Sequence, residues 1–219
     1  MKTIIRRMSV ACVAGCAVLV STPALAHGGH DQAAMNQAAP MDHSQHAAMA
    51  AAATTAYKRS LRTYAAIPDV VLIDANAKPV RLRELLSSGD SVMVNFIFTT
   101  CTTICPVMTQ VFAEARTRLG GEAKNLRMVS ISIDPENDTP ARLKAYSKKF
   151  GADARWIFLT GRVEDIGNVQ RAFDIYSNDK MTHTPLTLIH QPRSSTWVRI
   201  DGFANPEQLA GEYRSVAAQ

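Results

Sequence analysis

The eight residues from Ser91 to Phe98 read Ser-Val-Met-Val-Asn-Phe-Ile-Phe, an apolar run interrupted only by Asn95. Successive side chains of a strand point to opposite faces, so a strand with one wet face shows alternating polarity. A run without that alternation is buried on both faces, and the sheet around it carries a covering layer on each side.

The rest of the chain supplies those layers. Pro106 to Leu119 has helical spacing in Val107, Val111, Ala115 and Leu119, and Gly120-Gly121 stops it. Leu126 to Ile133 is a second buried strand. Thr139-Pro140 opens a helix reaching Phe150: Thr caps it and Pro takes the first helical position. Trp156 to Leu159 is a short strand, Val163 to Phe173 a helix, Leu186 to His190 and Thr196 to Ile200 a hairpin. Asn205-Pro206 starts a last amphipathic helix. Upstream, Val70 to Ile73 and Val80 to Leu82 flank the turn residues Asp74, Asn76 and Pro79 as an N-terminal hairpin. The alternation implies an α/β sheet with helices on both faces. Residues 61–219 have the length of one globular domain, and Phe96, Phe98, Trp156 and Phe158 are candidate core.

The N-terminus is of another kind. Lys2, Arg6 and Arg7 precede an apolar stretch from Met8 to Val20, and Ala24-Leu25-Ala26 is an Ala-x-Ala cleavage site. Residues 1–26 read as a cleaved export signal, which predicts a periplasmic protein without a transmembrane anchor. Val13-Ala14-Gly15-Cys16 also resembles a lipobox, so anchoring at Cys16 is the alternative. Removing the signal lowers Lys and Arg from 24 to 21 against 19 Asp and Glu, and the net charge from +5 to +2. With no basic patch interleaved with aromatics, nucleic acid is excluded as a partner. Residues 27–60 are rich in Ala, Gln, Met and His and poor in large apolar side chains, the composition of a disordered tail. His27, His30, His43 and His46 alternate there with Met35, Met41 and Met49. Imidazole binds Cu(II) and thioether prefers Cu(I), so the tail is a candidate for secondary copper capture.

Cys101 and Cys105 follow the central strand. Cys12 and Cys16 lie in the signal, so these two are the thiols of the mature chain. Such a pair can chelate a soft metal or cycle between dithiol and disulfide, and spacing alone leaves both open. A purely structural disulfide would close a tiny loop and stabilise little. A spacing of four puts both sulfurs on one face of a helix's first turn, where the helix N-terminus favours thiolate. A peroxidase would place Thr three residues before the reactive Cys; Phe98 stands there. No Gly-rich phosphate loop and no Ser/His/Asp arrangement is present.

These motifs, taken in order, carry a resemblance. A strand leads into Cys101-Thr102-Thr103-Ile104-Cys105-Pro106. Ser132-Ile133-Asp134-Pro135-Glu136-Asn137-Asp138-Thr139-Pro140 follows, then Leu159-Thr160-Gly161, then His183 before a late strand. Over about Pro68 to Tyr213 the chain resembles the Sco/SenC copper proteins. The resemblance implies a thioredoxin-like fold with a central mixed sheet flanked by helices, to which the N-terminal hairpin is an extension. It implies copper held by Cys101, Cys105 and His183, and delivery to the copper-binding subunit of cytochrome c oxidase. Two positions depart from the family pattern. Thr102 and Thr103 replace the Pro and acidic residue common there, and Thr182-His183-Thr184 replaces Asp-His-Ser. Thr184-Pro185 is similar to the cis-Pro loop of thioredoxins, which faces the cysteine pair and binds partner backbone. Asp134 and Asp138 read as turn and helix-cap residues, Met108 as packing and His190 as a non-ligand. The reading is a copper metallochaperone. The alternatives are a thiol-disulfide oxidoreductase acting on a partner's copper-site cysteines, or on another copper or thiol protein, and a copper-buffering or resistance protein.

Overall fold

The structure, a computed structural model, describes residues 57–192 and 194–218. Its strands are β1 (Tyr57–Arg62), β2 (Val71–Asp74), β3 (Pro79–Arg81), β4 (Ser91–Ile97), β5 (Leu126–Ser132), β6 (Trp156–Thr160), β7 (Leu186–His190) and β8 (Trp197–Gly202). They form one sheet in the order β1-β8-β7-β4-β5-β6-β2-β3. β4 pairs parallel with β5, and β5 with β6; the other pairings are antiparallel. The helices are α1 (Leu82–Leu86), α2 (Ile104–Leu119), α3 (Pro140–Lys149), α4 (Val163–Ala172) and α5 (Pro206–Ala217). This is the thioredoxin-like mixed sheet flanked by helices, with the β2–β3 hairpin added at one edge.

Every residue of β4 is buried, and its two faces meet different helices. Met93 and Ile97 pack with Phe112, Leu143 and Leu209 from α2, α3 and α5. Val92, Val94 and Phe96 pack with Leu82, Ile166 and Val169 from α1 and α4. Asn95 is absorbed by a polar chain: Ser130 Oγ donates to Asn95 Oδ1 at 2.7 Å and accepts from Trp156 Nε1 at 3.0 Å. The helix starts follow their caps. Thr139 accepts from the Arg142 amide ahead of Pro140, and Asn205 forms a reciprocal capping box with Gln208 ahead of Pro206. Each such cap stabilises its helix by about 1 kcal/mol.

Two boundaries differ from the sequence reading. The described chain opens with β1 at Tyr57, inside the stretch assigned to the tail. This edge strand, Tyr-Lys-Arg-Ser-Leu-Arg, has no apolar periodicity; Tyr57 and Arg59 instead both donate to Glu212 of α5, at 2.9 and 2.7 Å. Leu82 is not in the hairpin but opens α1, where it is buried with Leu85 and Leu86.

The register brings three connections to one end of the sheet. Ile97 is opposite Ser132, and Asn95 is opposite Thr187. The segments following β4 and β5 and the segment entering β7 therefore emerge side by side. They carry the cysteines, the Asp134–Asp138 turn and His183. The carboxyl ends of parallel strands are where open α/β sheets form ligand crevices.

Candidate metal centre

Both cysteines are free thiols and buried. Cys101 is not on the helix, as the spacing of four implied. It sits in the preceding turn, where its amide donates to the Phe98 carbonyl at 3.2 Å, and α2 begins only at Ile104. Pro106 explains the start. A helix leaves only its first four amides without partners, and proline is tolerated there because it has none to offer. With Thr103 as N-cap, Pro106 is the last of those four positions. The Thr103 side chain makes no capping bond. The sulfur of Cys101 takes that place, accepting from the Cys105 amide at 3.4 Å with Thr103 Oγ1 at 3.8 Å.

The two thiols are unequal as a result. Burial pushes the Cys101 thiol up, but the backbone and side-chain hydrogen bonds of Cys105 and Thr103 outweigh it and hold Cys101 below the ordinary 9.0. Burial pushes the Cys105 thiol up to about 12. A backbone hydrogen bond from Phe98 opposes this, while Cys101 and the Asp138 carboxylate add to it.

Asp138 does more than turn the chain. It is fully buried and is not the cap of α3, which is Thr139. Its carboxylate accepts from the Thr99 amide at 3.1 Å to each oxygen, from Thr99 Oγ1 at 2.5 Å and from Ser132 Oγ at 2.6 Å. It thereby ties the residue two before Cys101 to the end of β5. Asp134 closes the turn expected of Asp-Pro, accepting from the amides of Asn137 and Asp138 at 3.1 and 2.8 Å. Its side chain is bound by Asn137 Nδ2 and, at 2.6 Å, by Lys180 Nζ.

His183 follows a short 3-10 turn, Lys180–Thr182, capped by Asp179. Its ring meets the Phe98 ring edge-on, with centroids 6.3 Å apart. Burial holds its pKa below 6.5 and so favours the neutral imidazole, against a hydrogen bond that the ring donates to the Phe96 backbone. Its Nε2 is buried and has no hydrogen-bond partner. A ring nitrogen of a neutral imidazole with no other partner can offer its lone pair to a metal. The ring lines a cleft of about 500 Å³ whose wall also includes Asp134, Glu136, Tyr176 and Lys180.

Phe98 is thus common ground: its backbone bonds to Cys105 and its ring meets His183. The structure brings the two thiols together. Among the described residues, no three His, Cys, Asp or Glu side chains stand close enough to hold a metal ion, so His183 is not a ready third ligand. Pro185 enters β7 with a trans peptide, as do all described residues; its carbonyl accepts from the Gly202 amide at 2.9 Å, which extends the β7–β8 ladder instead of forming a cis-Pro loop. His190 stacks on Trp197 at 4.4 Å, and its partner Val92 lies at the opposite end of β4. Met108 is buried on α2. His27, His30, His43 and His46 lie outside the described residues. Sequence reasoning did not single out Thr99 or Lys180. Neither belongs to a recognisable motif; their partners are 39 and 46 positions away.

A family model described as SCO1/SenC matches residues 59–218. A SCO1 protein homolog of Bacillus subtilis (strain 168) is 39% identical over 87 residues, covering 39% of this chain and 44% of that relative. The chain spans about half the length of the curated relatives it matches. The structure of Arabidopsis thaliana ScoI with copper bound is similar at a TM-score of 0.59 and 25% identity, over 71% of this chain and 100% of that one. BsSco, described as having a disulfide switch and as a member of the Sco family of cytochrome c oxidase assembly proteins, gives a TM-score of 0.58 at 25% identity, over 69% of this chain and 93% of that one.

Proposed function

The chain belongs to the SCO1/SenC family, and from that premise we propose that it is a copper metallochaperone. Cys101, Cys105 and His183 hold the ion, and ligand exchange passes it to the copper-binding subunit of cytochrome c oxidase. The observation that carries this reading is the pairing, at one end of the sheet, of a thiol held below its ordinary pKa with an imidazole whose buried Nε2 has no partner. Thiolate is the soft ligand that Cu(I) selects, and imidazole suits copper in either state. Two sulfurs and one nitrogen leave the ion under-coordinated, which suits a carrier that must release it; structural zinc takes four closed ligands. His27, His30, His43 and His46 would capture copper near the domain. Export through a signal at 1–26 would put the protein in the periplasm, free or anchored at Cys16. Among the described residues no helix is long and apolar enough to cross a membrane.

The inequality of the thiols favours a second reading. As a thiol-disulfide oxidoreductase, Cys101 thiolate would attack a partner's disulfide and Cys105 would lose its proton and displace the partner's second thiol. The pair would end oxidised and the partner's two cysteines reduced.

Anaerobic Cu(I) titration of the chain from His27 tests the choice. One tight equivalent should survive replacement of the four tail histidines by Ala. It should weaken in His183→Ala and vanish in Cys101→Ser/Cys105→Ser. Undiminished binding in the double cysteine variant, with rapid thiol exchange in the wild type, would leave the reductase.

A further inference from the structure

We propose that Lys180 is a positioning residue for copper binding: by pairing with Asp134 it latches the loop that carries His183 to the end of β5. The inference rests on His183 being a ligand, as read above. It explains how a histidine that is not preassembled with the thiols is nonetheless kept near them.

The contacts around Lys180 run in both directions. Its Nζ lies 2.6 Å from Asp134 Oδ2, and the Asp134 side chain is only 5% exposed. The same ammonium lies 5.7 Å from the centre of the Phe98 ring, the ring that His183 meets edge-on. Its carbonyl accepts from the His183 amide at 3.4 Å. One residue therefore bonds to His183 through the backbone and to the body of the domain through its side chain.

Other hydrogen bonds of this loop close on the loop itself. Ser177 Oγ donates to the Asp179 carbonyl, the Met181 amide to Asp179 Oδ1, and the Thr182 amide and hydroxyl to the Asp179 carbonyl. They make the loop a compact unit; besides the bond of the His183 ring to the Phe96 backbone, the Lys180–Asp134 pair is what fastens it to the sheet. Met181 is 68% exposed, so packing at that position does not hold the loop down. Asp134 is pre-oriented to receive the latch, since Asn137 Nδ2 donates to both its oxygens at 3.0 and 3.1 Å. An ion pair with one buried and one half-exposed partner is strong enough to bias a loop and weak enough to open when the ligand set rearranges.

The test compares Lys180→Met, which keeps the alkyl stem over Phe98 but loses the charge, with Lys180→Arg, which keeps the charge, and with His183→Ala. In the metal-free full chain, hydrogen exchange across residues 177–184 should speed up several-fold in Lys180→Met and return toward wild type in Lys180→Arg. Upon addition of Cu(II), which needs the imidazole more than Cu(I) does, to these variants made in the full chain with His27, His30, His43 and His46 replaced by Ala, the electron paramagnetic resonance spectrum should show one histidine nitrogen. Lys180→Met should bind Cu(II) about ten-fold more weakly, ~1.4 kcal/mol, with the nitrogen signal reduced, and Lys180→Arg should restore both. Wild-type exchange and affinity in Lys180→Met, beside loss of the nitrogen signal in His183→Ala, overturns the latch alone. Retention of the nitrogen signal in His183→Ala overturns the ligand assignment and the latch with it.

Discussion

Replacing Asp138 by Ala removes the carboxylate that organises the turn before Cys101. Three donors lose their acceptor: the Thr99 amide, the Thr99 hydroxyl and the Ser132 hydroxyl. A hydrogen bond to a charged group contributes about 1.5–3 kcal/mol, so the three together would be worth ~4.5–9 kcal/mol if they simply added. They do not add. Burying the ion itself costs several kcal/mol, and that cost is recovered on truncation. Ser132 Oγ can also turn, since it already accepts from the Asp134 amide at 3.0 Å. The expected net loss is about 2–4 kcal/mol, or roughly 5–15 °C in Tm for a domain of this size. Asp138→Asn keeps the shape and one acceptor and should lose ~1–2 kcal/mol. Denaturant unfolding followed by the fluorescence of Trp156 and Trp197 measures both. A double-mutant cycle with Thr99→Val locates the effect, because the two residues share bonds and their changes should be non-additive by at least ~0.5 kcal/mol. An Asp138→Ala variant within ~0.5 kcal/mol of wild type, the ordinary range for an unimportant surface change, would refute the reasoning. Additivity with Thr99→Val would move the effect away from the turn.

Two further outcomes follow from the same geometry. Alkylation of the reduced protein should modify Cys101 first, with a rate that rises with pH through a midpoint below 9.0, because only the thiolate reacts and Cys101 is held below that value. Cys105, pushed up to about 12, should leave a Cys101→Ser variant ~10- to 100-fold slower near neutrality, the lower thiolate fraction being partly offset by higher intrinsic nucleophilicity; equal rates in the two single variants would contradict the asymmetry. Gly161→Ala should destabilise by about 1–3 kcal/mol through overpacking, since the new Cβ would stand 2.7 Å from Cδ2 of the fully buried Leu72. Gly211→Ala, on the exposed side of α5 with nothing within 4 Å of the new methyl, should instead gain ~0.5–1 kcal/mol from helix propensity, and calorimetry of the pair separates contact from conformational effects.

How far the sequence disclosed this molecule depends on the range of the interaction involved. The doubly buried β4, the Thr139-Pro140 and Asn205-Pro206 helix starts and the β7–β8 hairpin are all dictated by residues within a few positions of one another, and the chain shows them plainly. β1 escaped because what holds it is distant in sequence, its ladder with β8 and the bonds of Tyr57 and Arg59 to Glu212, more than 150 positions away, and not its own pattern. The position of Cys101 is a different case. Spacing of four suggested a shared helical face, yet Pro106 in the same motif already forbade a helix beginning at Cys101. Such a helix would place proline in its interior, where its missing amide and its ring both oppose the structure. Local evidence was present there, and the periodicity argument outweighed it.

That displacement of Cys101 has a chemical consequence that a shared helical face would not provide. Had both sulfurs stood in the first turn, the helix N-terminus would have favoured thiolate at both. Outside the helix, the Cys101 sulfur can act as the cap and collect the Cys105 amide, while Cys105 is left among apolar neighbours and near the Asp138 charge. The thiolate form is then favoured at one sulfur and opposed at the other. On the proposed copper reading, Cys101 would engage an incoming ion before Cys105 gives up its proton. The second thiol ionises only when a cation arrives to offset its burial, because a bound metal inverts the local preference for the neutral form. On the copper reading proposed above, the order of ligand binding, Cys101 before Cys105, would follow from the turn that Pro106 enforces and Asp138 holds.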